Sequence, residues 1–172
     1  MSKGSSSVRE ALDPVMLELG ATVYICQIFE NTLCLLLALI SEHRLLSNGR
    51  SFESSWDFHS EKTLGQLVSA LKQQLDLPPD FETFLREGVT KRNAVIHGFM
   101  TREALRLVEP KGRIEIIKEL RALRKDIRAR DLAIVKLADI LLKKYELSTD
   151  VLKKHADHIL DALNLDASET KH

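Results

Sequence analysis

Apolar residues recur at intervals of three and four along most of the chain, which is the spacing that places them on one face of an α-helix. No segment alternates apolar and polar residues over a useful length, as a half-buried strand would. We therefore expect an all-α bundle of about five helices. The predicted helices cover approximately residues 13–44, 63–77, 80–101, 112–146 and 149–163.

Residues that favour helix ends mark three of the predicted starts. Asp13 is a good N-cap, and Pro14 suits the first helical position. Thr63 and Gln66 have the spacing of a capping box, in which each side chain bonds the backbone amide of the other residue. Asp80 is the expected cap of the third helix.

Three features interrupt the helical pattern. Residues 45–58 are rich in serine and contain an asparagine–glycine turn signal, so we expect a loop there. Gly88 lies in the middle of the third predicted helix, where it would mark a bend or a change of helix. Arg130 and Asp131 stand where the fourth helix needs an apolar residue, which predicts either a break or a departure from the core.

The composition fits one globular domain. The chain has 172 residues, of which 44% are apolar and 29% charged, so it is too apolar for a disordered chain and long enough to bury a core. We expect flexible tails at residues 1–9 and 166–172 and a single domain over residues 10–165. The formal net charge is zero, so any basic surface that attracts nucleic acid must be local.

The most apolar segment, residues 23–40, is interrupted by Gln27, Glu30 and Asn31, and its longest uninterrupted apolar run is eight residues. A membrane-spanning helix needs roughly 20. The N-terminal residues also lack the apolar stretch of a secretory signal. The sequence thus predicts a buried helix, no membrane partner and a cytoplasmic location.

The cysteines and the potential metal-binding residues do not indicate a disulfide or a metal site. Cys26 and Cys34 lie about two helical turns apart, too far for a disulfide, and we expect both to be reduced core residues. Two histidines and two aspartates share the predicted last helix, which we interpret as a solvated face, with no metal or cofactor expected. These residues are His155, Asp157, His158 and Asp161.

The segment TKRNAVIHGF, residues 90–99, combines polar residues that suit phosphate chemistry. On a helix Asn93 and His97 lie one turn apart on one face, and the long side chain of Arg92 can reach back toward them. A guanidinium matches phosphate oxygens, and an imidazole exchanges protons near neutral pH. We therefore expect Asn93 to orient the imidazole or tie down local backbone, and Arg92 and His97 to serve phosphodiester cleavage.

One histidine cannot easily supply both the base that activates a 2′-hydroxyl and the acid that protonates the leaving 5′-oxygen. A homodimer with the segment at its two-fold axis would place two copies of His97 and Arg92 in one cleft. The catalytic interpretation therefore predicts a homodimer.

The residues Arg92 to His97, R-N-A-V-I-H, resemble the R-x4–6-H motif of the HEPN superfamily, and Asn93 is the residue most often found after that arginine. The resemblance extends over the bundle, roughly residues 13–145. It implies a dimer formed through the motif helices, with Arg92 and His97 catalytic and Asn93 supporting them. Many members are metal-independent endoribonucleases of toxin–antitoxin, CRISPR and phage-defence systems, so the resemblance implies an RNA substrate and a protein antitoxin or regulator as a further partner.

The chain departs from one part of the family pattern. Members paired with nucleotidyltransferase antitoxins have a tyrosine two residues after the histidine, and Phe99 stands there instead, so it cannot be modified in that way. Other members are inactive and bind nucleotides or proteins. The alternative is therefore a non-catalytic interaction or regulatory module in which the motif is structural at the dimer contact.

Further residues are candidates to support the motif. Glu30 lies in the apolar first helix, where a carboxylate needs a partner, so it either orients Arg92 or His97 or faces solvent or a subunit interface. A basic stripe along the fourth helix and two cations beside the motif are candidates for RNA contact, although such stripes are often merely solvated. These cations are Lys91, Arg102, Lys118, Arg121, Lys125 and Arg128.

Overall fold

The computed structural model describes residues 3–42, 51–146 and 150, with side chains described from residue 10 onward. Its elements are α1 (Lys3–Glu42), α2 (Phe52–Ser60), α3 (Leu64–Gln74), α4 (Pro79–Val108) and α5 (Pro110–Lys144). None of the described residues forms a strand, so the all-α class is confirmed. The helix predicted at 149–163 lies outside the described residues.

Helix α1 lies at the centre of the packing, because α2, α3 and α4 all contact it. Its buried side chains include Phe29, Leu33 and Leu37, and α2 and α3 add Phe52 and Leu67, all fully buried. A second buried cluster joins α1 to α4 and α5. That cluster contains Val15, Phe99, Leu107, Ile116 and Leu120.

The start predicted for the first helix at Asp13 is wrong, because α1 begins at Lys3 and continues through Pro14. A proline inside a helix removes one backbone hydrogen bond. Residues on both sides of Pro14 belong to the core, however: Val15 is fully buried and Leu12 packs against the same cluster. Tertiary packing therefore keeps the chain helical where the local signal predicts a start.

The predicted loop over residues 45–58 is wrong for its second half, where the structure has α2; residues 43–50 lie outside the described part. Ser51 caps α2 by accepting a hydrogen bond from the amide of Ser54 at 3.2 Å. The buried residues of α2 are Phe52, Ser55 and His59. Two of these three are polar, so the helical spacing is not visible as an apolar pattern.

The capping box at Thr63 and Gln66 is confirmed, with Thr63 N donating to Gln66 Oε1 at 2.8 Å. Asp80 is not the cap of the next helix, because α4 begins at Pro79 and its N-cap is Pro78. Asp80 instead lies in the first turn of α4, where a negative charge interacts favourably with the helix dipole.

Helix α4 also continues past Thr101, its predicted end, to Val108. Glu103 is buried in this extension, and its carboxylate accepts hydrogen bonds from Arg102 at 2.6 Å and Arg106 at 2.7 Å. The pairing compensates for burying the charge, and Leu107 adds a buried apolar contact on the next turn.

Neither a change of helix at Gly88 nor the break predicted at Arg130 occurs, since α4 and α5 are continuous through these residues, which pack against each other. A Cβ atom on Gly88 would lie 2.6 Å from Cδ of Arg130 and 3.3 Å from Cε1 of Phe29. The glycine is therefore needed for the close approach of α1, α4 and α5.

Arg130 occupies a core position of α5 with its side chain only 2% exposed. Its guanidinium stacks on the ring of Phe84 at 4.3 Å and donates to the Phe84 carbonyl oxygen. It also donates to Asp126 at 3.0 Å and to Glu87 at 3.2 Å. These partners satisfy the buried cation, so α5 stays in the core without an apolar residue there.

The chain divides into two compact units, Met1–Val135 and Lys136–His172. The first contains α1 to α4 and most of α5. The described part of the second consists of the end of α5 and the residues that follow it to Glu146, together with Asp150. The single domain expected over residues 10–165 stays a prediction.

Among the described residues, one helix is long and apolar enough to cross a membrane, and it covers Glu10–Glu42 of α1. Half of its most apolar window is buried inside the protein. The cytoplasmic location stays a prediction.

Candidate site on helix α4

Helix α4 presents the three motif residues on different parts of its surface. Asn93 and His97 are exposed and lie one turn apart, as their spacing predicts. Arg92 points toward α1 instead, and only 17% of its side chain is exposed. The guanidinium of Arg92 is therefore largely buried against α1, whereas the imidazole of His97 is exposed.

Two hydrogen bonds fix the guanidinium of Arg92. Its Nη2 donates to Oε2 of Glu30 at 2.8 Å, and its Nη1 donates to Oδ1 of Asn93 at 3.1 Å. Glu30 projects from α1 and is itself only 21% exposed. Its contact with Arg92 is the first of the two arrangements considered for Glu30 from the sequence, and it ties α1 to α4 at the motif.

Asn93 holds the arginine rather than the imidazole, which differs from one of the roles expected for it. The described residues supply no hydrogen bond to the His97 ring, which lies exposed on the surface of α4. The imidazole therefore makes no structural hydrogen bond within the described fold, and both of its nitrogens keep their hydrogen-bonding capacity.

His97 lies at an open groove of about 320 Å³ between α1 and α4. Leu19 and Val23 of α1 and Ile96 of α4 give the groove an apolar lining. Met100 also lines it and is 59% exposed, so it adds apolar area to this surface. This surface combines an exposed imidazole with apolar area available to a partner.

The cysteine closest to this network is not a candidate nucleophile. Burial raises the pKa of the Cys26 thiol to about 11, while the charge of Arg92 lowers it and that of Glu30 raises it. Burial likewise raises the pKa of Cys34 to about 11. Both are free, buried thiols, so neither forms the thiolate that nucleophilic chemistry requires near neutral pH.

Three of the six candidate RNA-binding cations form ion pairs within the protein. Lys91 pairs with Asp126 at 3.0 Å, Arg102 with Glu103 at 2.6 Å and Arg121 with Glu18 at 2.6 Å. The first and last of these acidic partners come from other helices, so sequence spacing did not reveal them.

The other three cations of the predicted set keep their charge available along α5. Lys118, Lys125 and Arg128 are exposed, and no ion pair to them is found within residues 10–42 and 51–146. Any RNA contact by this stripe would therefore rest on these three, because Arg121 is paired with Glu18.

A clamp between α4 and α5 next to the motif was not predicted. Asp126 accepts hydrogen bonds from Lys91 and Arg130, which joins the residue before Arg92 to the buried cation of α5. The signal available in the sequence was Arg130 at an apolar position, which could have been interpreted as a buried arginine with acidic neighbours.

The part of the chain that the structure describes contains no cluster of metal-ligating side chains. None of its histidine, cysteine, aspartate and glutamate residues form a group of three or more that could hold an ion. His155, Asp157, His158 and Asp161, considered in the sequence, lie outside the described residues.

Comparisons with protein-family models, curated proteins and solved structures give no match to this chain. The geometry of the α4 site therefore has to be interpreted from its own residues, together with the resemblance of the R-x4-H motif.

Proposed function

We propose that the protein is a metal-independent endoribonuclease of the HEPN type, with its site formed where two copies of α4 meet. The observation that carries the proposal is the exposed imidazole of His97, which has no hydrogen bond from the described residues and lies five positions along α4 from a guanidinium that Glu30 and Asn93 hold in place. A positioned cation and an unengaged imidazole are the two groups that phosphodiester cleavage needs, and the proposed dimer has to bring them to one phosphate.

In the proposed reaction one His97 removes the proton of a ribose 2′-hydroxyl, whose oxygen attacks the adjacent phosphorus. The bond to the 5′-oxygen breaks, and His97 of the second copy donates the proton that this oxygen takes up. The products carry a 2′,3′-cyclic phosphate and a 5′-hydroxyl. Each terminal nitrogen of Arg92 has two hydrogens and uses one within the protein, so each keeps one for a phosphoryl oxygen.

The apolar groove beside His97 supports the dimer on which this reaction depends. A second copy placed against Met100 and Ile96 would cover apolar surface and bring the two imidazoles together. The resemblance places such proteins in prokaryotic toxin–antitoxin or phage-defence systems, so a protein antitoxin or regulator is part of the proposal.

The test is cleavage of single-stranded RNA by the purified chain in the presence of EDTA. His97→Ala and Arg92→Ala should each lower the rate by about 100-fold or more, whereas Thr83→Ala, at an exposed position of the same helix, should leave it unchanged. Cleavage that requires added metal ions, or that persists in both motif variants, would contradict the proposed mechanism.

A second candidate is a non-catalytic interaction module, and one observation favours it. The guanidinium of Arg92 is already paired with Glu30 and largely covered, as expected for a structural cation. In that case expression of the protein would not arrest bacterial growth. Growth arrest that His97→Ala relieves, with the variant's melting temperature unchanged, favours the nuclease.

A further inference from the structure

An open polar groove of about 490 Å³ lies between α3 and α4, apart from the groove at His97. Two cations line it, Lys62 and Arg86, together with the hydroxyls of Thr63 and Ser69 and the amides of Gln66 and Gln73. None of the described residues that line it is acidic. The chain as a whole has no net charge, so this local excess of cations and hydrogen-bonding groups favours an anionic ligand.

Both cations of this groove are held in position by contacts that leave them able to bind a ligand. Nζ of Lys62 lies 3.9 Å above the ring of Phe58. Arg86 donates through Nε to Oε1 of Glu82 at 2.7 Å, so its two terminal nitrogens remain available, and 49% of its side chain is exposed. Cations positioned in advance lose less conformational freedom when a phosphate binds.

The nearby carboxylate does not cancel this positive charge. Glu82 also accepts a 2.6 Å contact from Lys72, and hydrogen bonds from Lys72 and Arg86 lower the pKa of its carboxyl group. Glu82 is therefore shared between Arg86 and Lys72, so it does not neutralise Arg86 by itself.

The groove is aligned with the motif along α4. Asn93 and His97 follow Arg86 by seven and eleven positions, which places all three within about 20° of one helix face. All three residues are exposed. Arg86 and His97 are separated by about 16 Å along the helix axis, a distance that a few nucleotides of an extended strand can cover.

We propose that the groove between α3 and α4 binds the phosphate backbone of the RNA strand that is cut at His97. This inference rests on the proposed function, since it assigns a path to the substrate of that site. Lys62 and Arg86 contact phosphates, and the side-chain NH2 groups of Gln66 and Gln73 donate to phosphate oxygens. The hydroxyls of Thr63 and Ser69 donate to acceptors in α3, so toward the strand they act as acceptors for ribose 2′-hydroxyls. Such contacts carry no base readout, so the groove positions the strand without selecting its sequence.

The test measures binding of a fluorescein-labelled single-stranded RNA by fluorescence anisotropy, with the full chain carrying His97→Ala so that the strand stays intact. Adding Lys62→Ala and Arg86→Ala should weaken binding on the order of tenfold at about 0.1 M salt. The slope of log K against log salt should become shallower by about 1.4, because two phosphate contacts on a single strand contribute about 0.7 each.

Two control variants distinguish binding in the groove from a general effect of surface charge on RNA affinity. Lys72→Ala removes a cation that pairs with the same Glu82 but does not line the groove, so the salt slope should remain that of the parent. Arg86→Lys keeps the charge and should retain most of the slope. An unchanged slope in the Lys62→Ala and Arg86→Ala variant, or an equal loss in Lys72→Ala, overturns the proposal.

Cleavage assays with His97 present distinguish this proposal from the proposed function. If cleavage depends on His97 but binding is unaffected by the groove substitutions, the proposal of RNA binding in the groove is overturned and the nuclease proposal stands. If binding depends on the groove residues but no cleavage occurs, RNA binding in the groove is supported and the nuclease proposal is overturned. Absence of RNA binding by the parent chain overturns both.

Discussion

Arg92 and Glu30 form the charge pair that joins α1 to α4 at the motif, and both side chains are mostly covered. Arg92→Ala should lower the free energy of unfolding by about 1–3 kcal/mol, because it leaves the Glu30 carboxylate without its cation. A double-mutant cycle with Glu30→Ala, followed by urea unfolding, should give a coupling energy of about 1 kcal/mol.

The exposed pair of Lys111 and Glu115 provides the control for this cycle. Its atoms lie 4.0 Å apart and the two side chains are 88% and 47% exposed, so its coupling energy should stay below about 0.5 kcal/mol. Equal coupling energies for the two pairs would show that Arg92 is not held as the geometry indicates.

Gly88 and Gly20 are both helical glycines, but only Gly88 is enclosed. Gly88→Ala should lower the free energy of unfolding by about 1–3 kcal/mol, because its Cβ would lie 2.6 Å from Arg130 and 3.3 Å from Phe29. Gly20→Ala meets no atom within 4 Å and should stabilise α1 by about 0.5–1 kcal/mol. Thermal or urea unfolding of the two variants measures the difference, and a stable Gly88→Ala would contradict the close packing.

The sequence predicted the position of the motif residues on α4 but not their contacts. The one-turn relation of Asn93 and His97 follows from the period of the helix, which depends only on residues four apart. The engagement of Arg92 by Glu30 joins residues 62 positions apart, and the burial of Arg130 depends on Phe84 and Glu87 of another helix. Contacts of this kind are set by tertiary packing, so the sequence indicated which residues could form the site but not which residues they contact.

At the scale of elements, ion pairs connect α5 to α1 and α4. A hydrogen bond from Arg121, with Arg124 nearby, lowers the pKa of Glu18, and a hydrogen bond from Arg106 lowers that of Glu119. A carboxyl group whose pKa is lowered in the folded state stabilises the fold at pH values above its ordinary pKa of 4.5. This stabilisation is lost as the pH falls below 4.5 and through the lowered pKa.

Acid should therefore destabilise the protein partly through these pairs. We expect the free energy of unfolding, measured by urea unfolding between about pH 6 and pH 3, to fall as the pH decreases through 4.5. Glu18→Gln should make this fall smaller, because that position no longer takes up a proton. Glu109→Gln, at an exposed carboxylate with no ion pair found among the described residues, should follow the parent. A parallel pH dependence in all three chains would contradict the role of Glu18.

Helix α2 shows why element boundaries were harder to predict than helix class. Apolar spacing identified the helices whose buried faces consist of leucine, valine and isoleucine, such as α3. In α2 the buried face is Phe52, Ser55 and His59, so the serine-rich segment has the composition of a loop while it folds as a helix. At Pro14 and Asp13, conversely, a strong local start signal is overridden by packing on both sides.

At the scale of the whole molecule, the proposed dimer should depend on the groove beside His97. Met100→Lys places a charge in that apolar surface and should shift the chain toward monomer in sedimentation velocity, with RNA cleavage lowered in proportion. Leu105→Lys is the matched control, because Leu105 is 85% exposed on the same helix but does not line the groove. If the Met100→Lys chain is as dimeric and active as the control, the dimer interface does not include this groove.

The two buried cysteines also make the surface of this protein open to selective labelling. Cys26 and Cys34 are the only cysteines in the chain, and both are buried with pKa values raised to about 11, so thiol reagents should react with them slowly. A cysteine introduced at Leu105, which is 85% exposed on α4 and does not line the groove, would then be the fastest-reacting thiol without removal of either native one. Spin labels at that position would measure the separation between two copies of α4 in solution.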